Sequence, residues 1–261
     1  MIRAGANLGF GPANNLAIKT ASAANILILN PDTLVTEGAL DKLVKTLESE
    51  PRIGMVGPKI LNEDGSLQHS VVRQPETPAT IIFEELRIYK LLPRRMIATW
   101  LLGSHWNHDQ RRTVRVVGGA AIMCKREMIN EIGGFDPSIH MYAEEFEWCV
   151  RVRRGNWDIV FEPEAQIIHL RERSTTQRWT ADERMIVQEK ALIYYENKSF
   201  SKLLNLSNCI TKAVVLTLHT LRWRWHRKDV RILQQLRNMR LENCRQLIFG
   251  PRNDINTSEV N

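Results

Sequence analysis

Residues 25–35 read NILILNPDTLV, and the reading of the fold turns on this stretch. Ile26 to Leu29 are consecutive apolar residues that run straight into Asn30-Pro31-Asp32. A short apolar run closed by a proline turn predicts a buried strand of an α/β sheet. In open α/β sheets, ligands bind outside the carboxyl ends of the strands, which is where Asp32 stands. A second reading is open at this point: Asp is a common turn residue, and Asp32 would then only shape the loop.

Working outward, residues 37–48 place Leu40, Leu43, Val44 and Leu47 on one stripe, with Thr36 at the N-cap position and Pro51 beyond the end. That pattern predicts a helix. IGMVGPKIL (53–61) reads as a strand and NEDGS (62–66) as a turn into LQHSVVR. A helix is expected over Thr80–Leu91, then the loop WLLGSHWNHDQRR. VRVVGGAAIMCKRE (114–127) reads as strand, Gly-Gly break and strand. A short helix and a turn follow, then a helix from Ala143 to Arg154 with Gly155 at its C-cap. WDIVFEPEAQIIHL (157–170) predicts two short strands around Glu162-Pro163. Upstream, ANLGFGPANNLAIKTAS (6–22) reads as a loop entering a helix. Strands alternate with helices, so the class is α/β.

The 261 residues allow one large domain or a domain with an appendage. A net charge of +7 suits an anionic partner: a nucleotide diphosphate, an anionic membrane face or nucleic acid. The basic residues form no recognised nucleic-acid reading module, so nucleic acid is the weakest of these. Cys124, Cys149, Cys209 and Cys244 are widely spaced, which argues against a zinc site or a disulfide scaffold and for buried, reduced thiols in a cytoplasmic protein. The opening MIRAGANLGFGPANN lacks the apolar segment of a signal peptide.

Beyond Leu170 the pattern becomes helical. Residues 180–198 and Leu203–Trp225 each predict a helix, and RNDINTSEVN (252–261) predicts disorder. The second helix is interrupted by Lys212 and His219, so it falls short of the ~20 mostly apolar residues of a spanning segment. Two readings are open: a helix lying in the membrane interface with Trp223 and Trp225 at headgroup level, or an amphipathic helix packed on the main domain.

On the helix at 143–154, Glu145, Cys149 and Val152 share one face. Glu147 and Arg151 share another and suit a surface i,i+4 pair. Glu145 on an otherwise apolar face could line a cleft and act as a general base. Acidic residues in a first helical turn also complement the helix dipole, which leaves a bland explanation open.

Taken together, these stretches resemble family 2 glycosyltransferases of the GT-A fold, in particular the bacterial rhamnosyltransferase-like branch. Four segments carry the resemblance, in the family's order, from about Asn7 to Ser174. They are NLGFGPANN, LILNPDT, the long VVGGAAIMCKREMINEIGGFDPSIHMYAEEFEWCVRVRRGNW, and PEAQIIHLRERS.

The resemblance implies a mixed sheet flanked by helices, with C-terminal helices after it. Asp32 would hold a divalent cation, Mg²⁺ or Mn²⁺, that bridges the donor diphosphate, and Asn30 stands where a strict D-x-D has its first acid. His169 matches a position that approaches the metal. Asn7, Gly9, Gly118, Gly119 and Glu144 match donor-site positions. Glu145 falls on the catalytic base, where the family normally has Asp; the extra methylene moves the carboxylate by about a bond length, and a shift of ~1 Å can cost about 100-fold in rate.

The strand–helix–strand that holds the nucleotide base in the family is expected to be absent ahead of residue 1, through a start lying upstream or a truncated product. The expected organisation is a glycosyltransferase domain over 1–178, a helical, membrane-associated region over 179–250 and a disordered tail over 251–261. The implied activity is inverting transfer of a hexose or deoxyhexose such as rhamnose from a nucleotide diphosphate sugar to a lipid-linked or polysaccharide acceptor. The expected location is the cytoplasm, with peripheral contact on the inner membrane face. The rival reading is a non-catalytic remnant that serves as a membrane-associated scaffold.

Overall fold

The structure, a computed structural model, describes residues 2–68, 72–73, 77–85, 87–91, 106, 108–170, 180–226 and 229–251. Two compact units divide the chain: residues 1–75 with 88–195, and residues 76–87 with 196–261.

The first unit is built on a six-stranded mixed sheet. Its strands are β1 (Asn25–Leu29), β2 (Thr33–Val35), β3 (Ile53–Leu61), β5 (Arg112–Thr113), β7 (Ala121–Lys125) and β8 (Asp158–His169). The order is β1-β7-β3-β8-β2, and β5 pairs with β8. Only β3 and β8 run parallel; the other pairs are antiparallel. β4 (Val72–Arg73) and β6 (Val116–Val117) form a separate two-stranded ribbon.

Successive residues of the central strands alternate between two apolar layers, as a strand's period of two requires. Val56, Met123 and Val160 join Ala39, Leu43 and Leu47 of helix α2 (Ala39–Glu48) on one face. Met55, Ile122, Cys124, Ile159 and Phe161 face the other way. There they meet Ile18 of α1 (Phe10–Thr20), Met128 and Ile129 of α4 (Arg126–Ile132), and Trp148, Cys149 and Val152 of α5 (Glu144–Arg154). The sheet is therefore buried on both faces, the expected mixed sheet flanked by helices. Gly57 of β3 lets β6 cross closely, since a Cβ there would lie 2.5 Å from Cγ1 of Val117.

Several local expectations change. β1 is an edge strand of the described sheet with alternating burial, not a strand covered throughout. Thr36 does not cap α2; its hydroxyl donates to the carbonyl of Gln166 at 2.7 Å, and left-handed Gly38 stands at the cap. Leu40 is exposed. The helix expected over Thr80–Leu91 is α3 (Pro78–Glu85) and a separate 3₁₀ turn at Ile88–Leu91. The two strands expected around Glu162-Pro163 are one, β8, with a register shift there: Pro58 opposes Glu162, and Lys59 opposes Gln166. Glu162 is buried at this bulge, where it accepts from the Thr46 hydroxyl at 2.7 Å and from Nε of Arg111 at 2.6 Å.

Helix α6 (Ala181–Ser199) begins with a capping box, Thr180 and Glu183 exchanging side-chain-to-backbone bonds. The second unit takes up the chain from Glu196. It contains α3, α7 (Lys202–Trp225) and α8 (Arg231–Phe249). Its interior holds charged groups among apolar ones: Glu196 is paired with fully buried Arg240 and with Lys212 at 2.9 Å, and Cys209, Ala213, Leu233 and Leu236 are buried as well. His219 Nε2 lies 2.9 Å from Oε2 of Glu85. Lys212 and His219, which interrupt the apolar run of α7, thus have acidic partners within this unit. The apolar side of α7 faces outward, with Ile210, Val214, Leu218, Leu221 and Trp225 all at least half exposed. The tail expected to be disordered lies, from residue 252, outside the described residues.

Candidate functional site

Strand pairing brings Asp32 to His169. β2 pairs with the end of β8 so that Thr33 opposes His169, and the N–H of Leu170 donates to the Asp32 carbonyl at 2.9 Å. The side chains meet with Asp32 Oδ1 3.2 Å from His169 Nε2, each only about one-sixth exposed. The other ring nitrogen, Nδ1, lies 3.0 Å from Oε1 of Gln68, a buried residue.

Asn30 ties this corner to the Gly-Gly break. Its N–H donates to the carbonyl of Ala120 at 2.9 Å, and Leu29 opposes Ala121 across β1 and β7. The Asn30 side-chain oxygen is buried and has no hydrogen-bond partner among the described residues. Gly118 and Gly119 are half-buried between β6 and β7. At Gly119 a Cβ would stand 3.7 Å from Cδ of Glu145, so the Glu145 carboxyl lies directly over the glycine backbone.

Helix α5 starts after two consecutive left-handed residues, Tyr142 (φ 67°) and Ala143 (φ 63°). Non-glycine residues adopt that conformation only where the surroundings impose it. Glu144 is buried and Glu145 half-buried in the first turn. Burial, followed by the neighbouring Glu145 carboxylate, pushes the Glu144 carboxyl up to about 8. Burial also pushes the Cys149 thiol up to about 12 and raises Cys124 well above its ordinary value. All four cysteines are free and buried, as the sequence suggested.

Glu147 is not on the surface. It is 1% exposed and receives Nε of Arg151 at 2.8 and 2.9 Å and Nη2 at 2.8 Å. The same guanidinium donates to the carbonyls of Ile132 and Gly134. The expected pair forms, but as an internal clamp between α5 and the GGFD turn.

The N-terminal loop packs on the segment that leads into α5. Asn7 is exposed, and its Oδ1 accepts from the Gly9 N–H at 3.0 Å. Gly9 has φ 80°, and a Cβ there would lie 2.7 Å from the His140 carbonyl. Asn15 reaches across to bond both N–H and C=O of Phe135. Gln68 was not anticipated from sequence. A single Gln after a turn carries no pattern, and only the β3–β8 pairing reveals its neighbour.

The donor set suits a hard divalent cation. Such an ion takes oxygen ligands, commonly one or two carboxylates with substrate phosphates and water completing the shell. Asp32 and His169, 3.2 Å apart, would supply two donors at one corner and leave the rest to a diphosphate and water. No group of three or more His, Cys, Asp or Glu placed to hold a metal occurs among the described residues.

Curated proteins similar to this chain include glycosyltransferases, as the motifs implied. It is 27% identical over 186 residues to N-acetylglucosaminyl-diphospho-decaprenol L-rhamnosyltransferase of Mycobacterium tuberculosis, covering 67% of this chain and 60% of that protein. It is 26% identical over 162 residues to the low-salt glycan biosynthesis hexosyltransferase Agl10 of Haloferax volcanii, covering 60% of this chain and 47% of that one. The chain thus spans about half to three-fifths of the length of these relatives. No family profile matches it. Among solved structures, the mannosyltransferase PcManGT from Pyrobaculum calidifontis in complex with GDP-Man and Mn²⁺ is similar at a TM-score of 0.47 and 13% identity, over 94% of this chain and 68% of that one.

Proposed function

We propose that this chain carries the metal, diphosphate and catalytic-base elements of an inverting glycosyltransferase. The donor is a nucleotide diphosphate hexose or deoxyhexose, and the acceptor a lipid-linked or polysaccharide glycan of the cell envelope. The observation that carries this reading is the meeting of Asp32 and His169 at 3.2 Å, joined by the Asn30–Ala120 bond to the glycine break beneath Glu145. With glycosyltransferases as the relatives, a non-catalytic scaffold is not favoured.

Asp32 and His169 would hold a divalent cation, which supplies charge neutralisation to the departing diphosphate. Glu145 takes the proton of the acceptor hydroxyl as that oxygen attacks the anomeric carbon. The bond from that carbon to the diphosphate oxygen breaks on the opposite side and its electrons leave with the phosphate, so the configuration inverts. Gly118 and Gly119 let the sugar diphosphate approach the backbone closely.

The outward apolar face of α7 supports peripheral membrane contact, and a lipid-linked acceptor would reside in the same membrane. No helix among the described residues is long and apolar enough to cross a membrane. The proposed domains are a transferase domain over 1–178, a helical region over 179–250 and a tail over 251–261.

Calorimetric titration with a panel of nucleoside diphosphates in Mn²⁺ tests the donor half of this reading. Binding should require the cation and be lost in Asp32→Ala, with the thermal unfolding transition retained. Equal affinity with and without Asp32 overturns it.

A further inference from the structure

A chain of hydrogen bonds with a fixed direction runs from the turn after β3 to His169. Its first member, Asp64, is exposed, and bonds from the Ser66 hydroxyl and N–H hold its carboxyl below the ordinary value, so it accepts and does not donate. The Ser66 hydroxyl spends its only proton on Asp64 at 2.6 Å. Ser66 Oγ can then only accept from Asn62 Nδ2, at 2.9 Å. That orients the Asn62 amide and turns its Oδ1 toward Gln68 Nε2, at 3.3 Å. Gln68 in turn presents Oε1 to His169 Nδ1, at 3.0 Å.

Amide and imidazole orientations follow from the network around them, and here the network starts at a group that cannot be reversed. Two backbone bonds, Asn62 N–H to Ser66 O at 2.8 Å and Gln68 N–H to Ile60 O at 2.9 Å, hold the turn in place. Gln68 is 3% exposed, so water does not compete for its amide.

We infer that Gln68, oriented through Asn62, Ser66 and Asp64, is a positioning residue that fixes His169 in the Nδ1–H tautomer and leaves the Nε2 lone pair beside Asp32. With Nδ1–H given to Gln68, Nε2 faces Oδ1 of Asp32 at 3.2 Å. That pair is matched by a cation. In the opposite tautomer Nε2–H would donate to Asp32 and occupy both groups. The inference rests on the metal reading above, but the tautomer itself does not.

Long-range ¹H–¹⁵N correlation spectra of the metal-free chain report the tautomer directly, with the His169 signals assigned by their loss in His169→Gln. The wild type should show Nδ1 protonated and Nε2 bare. Gln68→Met, which keeps volume and removes the acceptor, should move the ring toward the Nε2–H form. It should also weaken binding of Mn²⁺ alone, followed by the electron paramagnetic resonance of the free ion, by about 10- to 100-fold. Gln68→Glu restores an acceptor and should recover both. Asn62→Ala leaves the buried Gln68 in place but frees its amide, so a mixed tautomer is expected even if Gln68→Met folds poorly. An Nε2–H ring in the wild type, or a tautomer indifferent to both substitutions, overturns the inference. The predicted tautomer together with no Mn²⁺ binding to the wild type upholds the relay and overturns the metal reading instead.

Discussion

Glu147 and Arg151 form a bidentate ion pair inside the first unit, and the guanidinium is bonded in addition to the backbone carbonyls of Ile132 and Gly134. One turn of α5 therefore fastens the GGFD loop to the helix that bears Glu144 and Glu145. Breaking a buried pair leaves a charge without its partner and costs about 3–5 kcal/mol. Arg151 keeps two carbonyls and is a quarter exposed, so Glu147→Gln should fall at the low end, about 3 kcal/mol. Urea denaturation checks this: a loss below about 0.5 kcal/mol would return Glu147 to the surface.

The pair itself was legible in the spacing, but its burial was not. An i,i+4 Glu–Arg pair looks the same in sequence on either side of a helix. What decides the side is the packing of Trp148, Cys149 and Val152 against the sheet, which turns Glu147 toward the loop. The same holds for the site. Asp32, Glu145 and His169 stood out through motif order, because each sits at a strand or helix end where chemistry concentrates. Gln68 and the left-handed pair Tyr142–Ala143 did not, since their roles come from pairing between distant strands and from loop packing. In α7 the sequence left two sides open. The structure gives Lys212 an acidic partner in Glu196 and turns the apolar residues outward, which hydrophobic periodicity alone cannot distinguish from an inward stripe.

Glu144 gives the fold a pH dependence with a definite sign. Its carboxyl is raised from 4.5 to about 8, first by burial and then by the carboxylate of Glu145. Between these values the folded chain holds a proton that the unfolded chain releases. Stability from this group is therefore full below about 4.5 and lost as pH rises toward 8. Glu144→Gln removes the titration, so its stability relative to the wild type should grow steadily across that window. Denaturant midpoints at a series of pH values test it, and a constant difference from pH 5 to 8 would count against a proton on Glu144.

Gly9 is required by its backbone. With φ 80° and ψ 178° it occupies a region open essentially to glycine, and a Cβ would enter the van der Waals space of the His140 carbonyl. Gly9→Ala should cost about 1–3 kcal/mol and displace the loop that leads into α5. Gly5 also has positive φ, at 72°, but a Cβ there meets nothing within 4 Å. Gly5→Ala should be the milder change, and the order of the two melting temperatures decides whether the His140 contact matters.

The outward face of α7 predicts lipid binding. Leu203, Ile210, Val214, Leu218, Leu221 and Trp225 are exposed along one helix, with Arg222 and Arg224 near its end. Vesicles containing anionic lipid should retain the protein in flotation, neutral vesicles less, and added salt should reduce the difference. Leu218→Glu with Leu221→Glu should abolish flotation without disturbing the Glu196–Arg240 interior. Flotation unchanged by these two substitutions would sink the proposal.

Glu145 is the remaining test of the catalytic reading. Its carboxyl lies over Gly119, while Glu144 beside it is buried and holds its proton up to about pH 8. At neutral pH a group that keeps its proton is not the base, so the two neighbouring acids have separable roles. Glu145→Gln should lower sugar transfer by about 100-fold or more and leave Mn²⁺-dependent nucleoside diphosphate binding intact. Glu145→Asp installs the residue that the resemblance implies at this position and should retain transfer, with a rate that reports how far the carboxylate has moved. Glu144→Gln keeps the shape of a neutral acid and should retain most of the rate. Full loss in Glu144→Gln with normal turnover in Glu145→Gln would exchange the two assignments and place the base on the buried member of the pair.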